Sequence, residues 1–278
     1  MTIALAIREA AEALAAASDT PRLDAELLMA HLLGVTRSEL LLRHMKEPVV
    51  AGYASLVVRR MKHEPVAYIT GIQEFYGLEF LVNSDVLIPR SDSEVLVDAA
   101  LAANPDAKRV LDCGTGSGAL LLAVLAQLPN AEGVGIDQSQ GALEVAAANA
   151  ARLGLAERAR MVKADWHEEA WADALGRFDL ILANPPYVEN AAELSPSVRE
   201  HEPSGALFAG PEGLDDYRIL IPHLPDLLTE HGIALIEIGA TQAEAVSAIA
   251  KAAGFSVRLH RDLANHPRAL ELVHSNEI

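Results

Sequence analysis

Hydrophobic residues recur along residues 1–72 at the three- and four-residue spacing of helices, without the alternation that is typical of strands. The stretch 20–34 has favourable helix ends, because it begins with threonine and proline and ends with glycine. Within it, Leu23, Leu27 and Ala30 fall on one face, which we expect to be the buried one, and Leu28 is a further candidate for that face. The pattern predicts a small bundle of helices over residues 1–72.

The pattern changes in residues 73–90, where short strand-like runs lie on either side of Gly77. The turn-prone sequence Asn83-Ser84-Asp85 follows them. We expect a β-hairpin here that joins the helical part to the rest of the chain.

From residue 91 onward, short apolar runs alternate with helical patterns. Strands that are apolar on both faces are expected where helices cover both sides of a parallel sheet. Only residues 264–268 separate the last two runs, so these two strands should pair antiparallel. The predicted fold is therefore α/β with a mostly parallel sheet. Its seven strands are predicted at 109–113, 132–137, 160–165, 178–184, 233–239, 256–263 and 269–275.

Composition narrows the functional classes. The 278-residue chain has a net charge of −17, and phosphate contacts dominate nucleic-acid affinity, so we expect no direct nucleic-acid binding. No apolar stretch reaches the roughly 18 residues of a membrane span, and the N-terminus lacks the basic start of a leader peptide. The single cysteine, Cys113, indicates a reducing cytoplasm and, because no basic residue adjoins it, a place in the core.

A glycine-rich loop follows the first strand of the predicted sheet, with Gly114, Gly116 and Gly118 leading into a helix. Residues without side chains let a ligand approach the backbone closely. Asp137 ends the next strand, where it can accept hydrogen bonds from both hydroxyls of a ribose. These residues predict a pocket for a nucleoside-type cofactor. The spacing of Gly114, Gly116 and Ala119 also satisfies the dinucleotide pattern, so a nicotinamide cofactor stays open at this point.

Asp165 ends the third strand of the predicted sheet, and Trp166 follows it. They can bracket an adenine, with the carboxylate near its amino group and the indole against its face, although Trp166 can equally be a packing residue. Asp112 precedes the glycine loop. It either orients loop amides or a cofactor ammonium group, or it makes a structural hydrogen bond.

Asn184, Pro185, Pro186 and Tyr187 follow the fourth strand of the predicted sheet. The prolines lack backbone donors and fix φ, so the chain stiffens beside the glycine loop. The Asn184 amide oxygen and the Pro185 carbonyl oxygen are two fixed acceptors, which match the two hydrogens of a planar NH₂ group. Tyr187 can cover the face of that group, so the segment is predicted to clamp an amide or an exocyclic amine.

The nitrogen of such a group is a poor nucleophile, because its lone pair is delocalised. Two acceptors orient the nitrogen and favour the positive charge that grows on it in the transition state. No strong general base is needed, because an N-alkylated amide cation loses its proton readily. Asn184, Pro185 and Tyr187 are therefore the predicted catalytic residues.

With these motifs in place, the chain resembles the class I S-adenosylmethionine-dependent methyltransferases that alkylate amide or amine nitrogen. It is similar in particular to the bacterial glutamine N5-methyltransferases of peptide chain release factors (the PrmC/HemK family), through PRLDAELLMAHLL, LDCGTGSGA, NPPYV and EPSGALFAG. The resemblance implies a partner-recognising helical domain at 1–72, a linking β-hairpin at 73–90 and a Rossmann-like methyltransferase domain with a seven-stranded sheet at 91–278. It also implies methylation of the glutamine in the Gly-Gly-Gln loop of class-1 release factors.

The resemblance assigns residue roles by position. Asp137 would hold the ribose of S-adenosylmethionine, Trp166 would flank its adenine, and Asn184 would touch both cofactor and substrate. Pro185, Pro186 and Tyr187 would complete the substrate clamp. The methionine and ribose side of the cofactor would be lined by Gly114, Thr115, Gly116, Ser117 and Gly118.

Ser91, His201 and Asn265 depart from the family pattern, which usually has a proline, an aromatic residue and a glycine at these positions. The acids Asp92 and Glu94 are retained. They favour release factors over the substrate of the sister family, a glutamine on a ribosomal protein.

Other functions stay open on the sequence alone. One is methylation of a ribosomal-protein glutamine, and another is methylation of adenine N6 in a nucleic acid, which uses the same clamp on a flipped base. A nicotinamide-dependent oxidoreductase would leave Asn-Pro-Pro-Tyr unexplained, and a non-catalytic binding module would leave the intact loop and clamp unexplained. His201, His260 and His266 lack metal-ligand spacing, so no metal is expected.

Overall fold

The computed structural model describes residues 1–275, and the chain divides into two compact units. One, the helical unit, consists of Met1–Ile72 together with Leu194–Glu202. The other, the sheet unit, consists of Gln73–Glu193 and the chain from Pro203 onward. The segment Leu194–Glu202 thus interrupts the sheet unit in sequence and groups with the helical unit.

The elements follow in chain order. The helices are α1 (Ile3–Leu14), α2 (Pro21–Leu33), α3 (Arg37–Glu39, continued by a π turn at Leu40–His44), α4 (Tyr53–Met61), α5 (Val66–Thr70), α6 (Glu94–Ala103), α7 (Ala119–Gln127), α8 (Gln140–Arg152), α9 (Pro196–His201), α10 (Asp215–Leu220), α11 (Leu224–Leu227) and α12 (Ala243–Ala252). The strands are β1 (Ile72–Phe75), β2 (Leu78–Leu81), β3 (Arg109–Cys113), β4 (Glu132–Asp137), β5 (Ala159–Lys163), β6 (Phe178–Ala183), β7 (Leu228–Glu237), β8 (Phe255–Arg261) and β9 (Pro267–His274). Short 3₁₀ turns lie at Ser91–Ser93, Ser204–Ala206 and Ile221–His223. No helix within residues 1–275 has the length and apolar character that crossing a membrane requires.

The buried face of α2 differs from the one expected from apolar spacing. Leu28 and Ala30 are buried, but Leu23 is 38% exposed and Leu27 is only partly buried. Asp24 takes the inner position instead, because its carboxylate accepts a hydrogen bond from the Arg60 guanidinium of α4 at 2.7 Å. A buried charge with a charged hydrogen-bonding partner is tolerated where an unpaired one is not, and the apolar pattern carries no information about such pairs.

Helix α3 begins with a side-chain cap. The Thr36 hydroxyl accepts a hydrogen bond from the Glu39 backbone N–H at 3.1 Å. Because this cap satisfies an N–H that lacks a partner within the helix, Thr36→Ala should lower the free energy of unfolding by about 1 kcal/mol, measured by urea denaturation. Ser38→Ala, at an exposed position of the same turn, is the control and should not destabilise the protein. Equal stability of Thr36→Ala and wild type would contradict the prediction.

The predicted hairpin is present as β1 and β2. Its turn residues, Tyr76 and Gly77, have φ values of 52° and 74°, the conformation that suits the twist of a two-residue hairpin. Phe75 and Phe80 bury their rings edge to face in the core of the sheet unit, with centroids 6.2 Å apart. The hairpin is therefore held by packing against the sheet unit as well as by its own strand pairing.

The remaining strands form a seven-stranded sheet in the order β5-β4-β3-β6-β7-β9-β8. Strands β3 to β7 are parallel, and β9 pairs antiparallel with both β7 and β8, so the predicted α/β fold and its antiparallel last pair are confirmed. Strand β7 begins at Leu228, five residues before the prediction, because its pairing with β6 continues past an irregularity between Phe178 and Leu180.

The order of the strands fixes where a ligand can bind. The chain runs from β3 outward to β4 and β5, and then returns to place β6 on the other side of β3. At such a reversal the loops after neighbouring strands diverge and leave a crevice at the carboxyl ends. The glycine loop after β3, Asp137 at the end of β4 and the Asn-Pro-Pro-Tyr segment after β6 all lie at this edge.

Candidate active site

A cavity of about 450 Å³ lies at the carboxyl edge of the sheet. That volume falls in the range of small-molecule sites. Loops after β3, β4, β5 and β6 contribute to its walls, as the strand order requires. Gly118, Pro185 and Tyr187 do not line it. The predicted site residues that do are Gly114, Thr115, Gly116, Ser117, Asp137, Asp165, Trp166, Asn184 and Pro186.

The glycine loop adopts a backbone that requires glycine. Gly114, Gly116 and Gly118 have φ values of 74°, 54° and 81°, a region that other residues occupy at a cost. A Cβ at Gly114 would also lie 3.1 Å from the Trp166 ring, and one at Gly118 would lie 3.3 Å from Ala146. At Gly116, by contrast, nothing lies within 4 Å of a Cβ position. Gly116 is thus the point where the cavity reaches the bare backbone.

Asp112, near the end of β3, anchors this loop through a hydrogen bond. Its carboxylate accepts a hydrogen bond from the Thr115 hydroxyl at 2.7 Å, and the side chain is buried. Burial raises the pKa of Asp112 to about 7. Thr115 fits because position 135 on β4 is glycine: a Cβ there would lie 2.8 Å from the Thr115 hydroxyl oxygen. Of the roles that the sequence left open for Asp112, the structure shows a hydrogen bond that orients the loop.

Asp137 faces the loop from the end of β4. One carboxylate oxygen accepts from the Gly116 N–H at 3.0 Å and the other from the Ser139 N–H at 2.9 Å. Burial raises the pKa of Asp137, and these backbone donors oppose that rise. A carboxylate oxygen can accept a second hydrogen bond. Asp137 is therefore held in place and can still accept from two ligand hydroxyls.

Trp166 forms a fixed wall of the cavity. It is 7% exposed, and its indole N–H donates to Asp216 of α10 at 2.8 Å. The neighbouring Asp165 is tied to His167, whose backbone N–H and ring Nδ1 each lie 2.9 Å from one carboxylate oxygen. Burial raises the pKa of Asp165, but the contacts with His167 lower it by more, so the pKa lies below its ordinary value. Asp216, which orients Trp166, carried no sequence motif by which it could be recognised.

The Asn-Pro-Pro-Tyr segment is shared between two cavities. Asn184 and Pro186 line the first cavity, whereas Pro185 is buried. Among the described residues, the Asn184 amide has no hydrogen-bonding partner, so both its donor and its acceptor are available to a ligand. Tyr187 lines a second cavity of about 440 Å³. The two cavities share Pro89 and Arg90, so they adjoin each other.

The second cavity is polar and contains ionisable groups. The Tyr187 hydroxyl donates to Glu237 at 3.3 Å, and its carbonyl oxygen accepts from Gln242 at 3.0 Å. Arg268 from β9 lines the same cavity and donates to Asp92 at 3.0 Å. Glu237 was not among the residues predicted from the sequence, where the available signal was a carboxylate at the end of an otherwise apolar strand.

The departures from the family pattern lie outside the first cavity. Asn265 has a φ of 66°, a conformation that asparagine tolerates better than most residues, which explains how it stands in for glycine. His201 on α9 donates from Nε2 to the Lys62 carbonyl oxygen at 2.9 Å within the helical unit. Ser91 lines the second cavity. Within the described part of the chain, no cluster of histidine, cysteine and carboxylate residues is suited to hold a metal ion.

Comparisons with known protein families match both parts of the chain. Residues 6–71 match the PrmC N-terminal domain, and residues 104–255 match a methyltransferase domain. Similar solved structures include a ribosomal protein L11 methylase from Lactobacillus delbrueckii subsp. bulgaricus, with a TM-score of 0.50 and 22% identity over 70% of this chain and 84% of that one. A methyltransferase from Pyrococcus furiosus has a TM-score of 0.51 and 16% identity over 70% of this chain and 88% of that one. At these identities the likeness supports the fold alone.

Full-length relatives are more similar in sequence. The release factor glutamine methyltransferase of Caulobacter vibrioides is 42% identical over 91% of this chain and 89% of its own. The protein of the same name from Geobacter sulfurreducens is 42% identical over 85% of this chain and 84% of its own. These matches span both the helical part and the methyltransferase domain.

Proposed function

The chain belongs to the family of release factor glutamine methyltransferases, and from this membership we propose how its two cavities divide the work. The protein is an S-adenosylmethionine-dependent protein-glutamine methyltransferase. The first cavity binds the cofactor, and the second receives the part of the substrate next to the reacting glutamine. The observation that carries this division is the Asn-Pro-Pro-Tyr segment, which places Asn184 on one cavity and Tyr187 on the adjoining one.

The residues of the first cavity suit the cofactor. Gly116 leaves its backbone open, Asp137 keeps acceptors for two hydroxyls, and Trp166 offers an apolar wall. When bound, S-adenosylmethionine would supply an electrophilic methyl group on a sulfonium centre, and loss of that methyl would leave a neutral thioether. Asp165 lines the same cavity, where its remaining acceptors can reach an exocyclic amine.

The Asn-Pro-Pro-Tyr segment acts on the nucleophile. The Asn184 side-chain oxygen and the Pro185 carbonyl oxygen accept the two N–H hydrogens of the glutamine amide. Pro186 and the ring of Tyr187 confine its plane. As the N–C bond forms, positive charge grows on nitrogen, and the two acceptors stabilise it more than they stabilise the neutral amide. The alkylated nitrogen then gives up one proton to water.

The substrate assignment is tested by competition among acceptors. The protein is incubated with isotopically labelled S-adenosylmethionine and, in parallel, a class-1 release factor, total ribosomal proteins or a DNA duplex. We expect label on the glutamine of the Gly-Gly-Gln loop, located by mass spectrometry, and none when that glutamine is replaced by alanine. Label on a ribosomal protein or on adenine, with an unlabelled release factor, would overturn the proposal.

We propose that the helical unit docks the folded release factor. Leu42 is 84% exposed, and Val58 and Met61 lie one turn apart on α4 and are about half exposed, so these apolar side chains are available to contact a protein partner. The net charge of −17 disfavours nucleic acid as the partner. The buried free Cys113 is compatible with a cytoplasmic location.

Leu42→Ser should raise KM for the release factor about fivefold and leave kcat unchanged, because a contact that only docks the partner contributes equally to ground and transition states. Steady-state kinetics on the intact release factor measure both constants. A short peptide with the Gly-Gly-Gln sequence is the control substrate, and its kinetics should not change. An unchanged KM for the release factor would exclude Leu42 from docking.

A further inference from the structure

Tyr187 is held both at its backbone and at its phenol hydroxyl. The backbone carbonyl oxygen of Tyr187 accepts from the Gln242 side chain at 3.0 Å, and a Cβ at Gly213 would clash with that oxygen, so the backbone there is tightly packed. At the other end, the phenol hydroxyl donates to Glu237 at 3.3 Å. The side chain of Tyr187 is therefore restrained at its far end as well as through its backbone.

Glu237 is itself fixed. Its side chain is 2% exposed, and its backbone carbonyl accepts from the Tyr217 hydroxyl of α10 at 2.8 Å. Glu237 is the last residue of β7, and its backbone pairs with Ala269 of β9. A carboxylate in this setting moves little, so its hydrogen bond can hold the phenol in one position.

Burying a charged carboxylate costs free energy unless it is paired and hydrogen-bonded. One oxygen of Glu237 receives the Tyr187 hydroxyl, and the Ser93 hydroxyl faces the carboxylate and lowers its pKa. Arg268 lines the same cavity and attracts the carboxylate, but its own hydrogen bonds go to Asp92 and Asp262. No direct ion pair therefore accounts for an acid at this position.

We propose that Glu237 is a positioning residue for methyl transfer, which acts by holding the phenol of Tyr187 so that its ring lies flat against the glutamine amide. This inference rests on the proposed function. A reacting amide must be kept within a narrow range of angles, and a ring fixed at its far end restricts that range more than a ring fixed only by its backbone.

A double-mutant cycle tests the inference. The variants are Tyr187→Phe, Glu237→Met and the two combined, with kcat and KM measured on the release factor. Both single variants should lower kcat about tenfold, the size expected for one lost hydrogen bond, and the combined variant should be no slower than either. Glu237→Gln keeps an acceptor oxygen but loses the charge, so it should recover only part of the activity, with kcat about threefold below wild type. Glu230→Met, an exposed position on the same strand, is the control and should match wild type.

The outcomes separate the possible explanations. Losses that multiply to about a hundredfold in the combined variant would overturn the inference, because Glu237 would then act independently of the phenol. A wild-type kcat in Glu237→Met would overturn it as well. If Glu237→Met does not fold, the cycle is run with Glu237→Gln, whose smaller loss of kcat should disappear in the Tyr187→Phe background. Failure of the wild-type protein to label a release factor would instead remove the proposed function.

The pH dependence of kcat is a readout that a merely structural role would not change. Burial raises the pKa of Glu237 to about 7, and the groups that face it are Tyr187, Tyr217 of α10, Arg268 of β9, and Asp92 and Ser93 of the 3₁₀ turn. Above pH 7 the charged carboxylate accepts the phenol hydrogen strongly, and below pH 7 it is protonated and accepts weakly. Wild-type kcat should therefore fall below pH 7, and Glu237→Gln should lose this dependence. A fall that persists in Glu237→Gln would assign it to another acid, such as Asp112, and contradict the role of Glu237.

Discussion

Replacing Asn184 with alanine should lower kcat for release-factor methylation by about 10²–10³-fold, the range seen when one preorganised polar contact at a reaction centre is removed. The affinity for S-adenosylmethionine should change much less. Asn184 lines the cofactor cavity beside the glycine loop, and its amide has no protein partner among residues 1–275, so its hydrogen-bonding capacity is reserved for ligands. The expected loss lies in kcat because the acceptor matters most when charge develops on the glutamine nitrogen.

Two further variants sharpen this test. Asn184→Asp keeps an acceptor oxygen, so its kcat should fall less than that of Asn184→Ala. Asn190→Ala, six residues along the chain and exposed, should behave as wild type. Single-turnover kinetics give the chemical step directly, and calorimetry gives the cofactor affinity. If Asn184→Ala turns over normally, or loses only cofactor affinity, Asn184 has no role in activating the nucleophile.

The sequence predicted the sheet well because its strands are short apolar runs between strong helical patterns. The bounds of β3 and β4 agree with the prediction to the residue. The glycine loop was equally predictable, since its three positive φ values admit little other than glycine. Apolar periodicity predicted only part of the buried face of α2, where Asp24 is buried against Arg60, because an ion pair between helices that are distant in sequence leaves no periodic trace.

The supporting residues of the site were the part that the sequence did not reveal. Asp216 fixes Trp166 from a helix that is 50 residues away in the chain, and Glu237 holds Tyr187 across the same separation. Each of these residues acts through one hydrogen bond to a motif residue and belongs to no local pattern. Motifs mark the residues that touch ligands, whereas the residues that orient them become visible only when the strands are placed side by side.

Replacing Asp137 with alanine should weaken the binding of S-adenosylmethionine by about 1.5–3 kcal/mol, which is roughly a 10- to 150-fold increase in Kd. The carboxylate would accept hydrogen bonds from two ribose hydroxyls while it holds the Gly116 and Ser139 N–H groups. Alanine removes both functions, so the ligand loses its acceptors and the loop loses its anchor. Isothermal titration calorimetry on the purified variant measures the change.

Asp137→Asn separates the two functions of this carboxylate. Asparagine has one acceptor oxygen and no charge, so it can keep one backbone contact but cannot serve both hydroxyls, and its Kd should fall between those of wild type and Asp137→Ala. Glu132→Ala removes an exposed acid from the opposite end of the same strand and should leave Kd unchanged, which controls for the loss of one negative charge. If Asp137→Ala binds the cofactor as tightly as wild type, the ribose does not lie against β4, and the orientation proposed for the cofactor in this cavity is wrong.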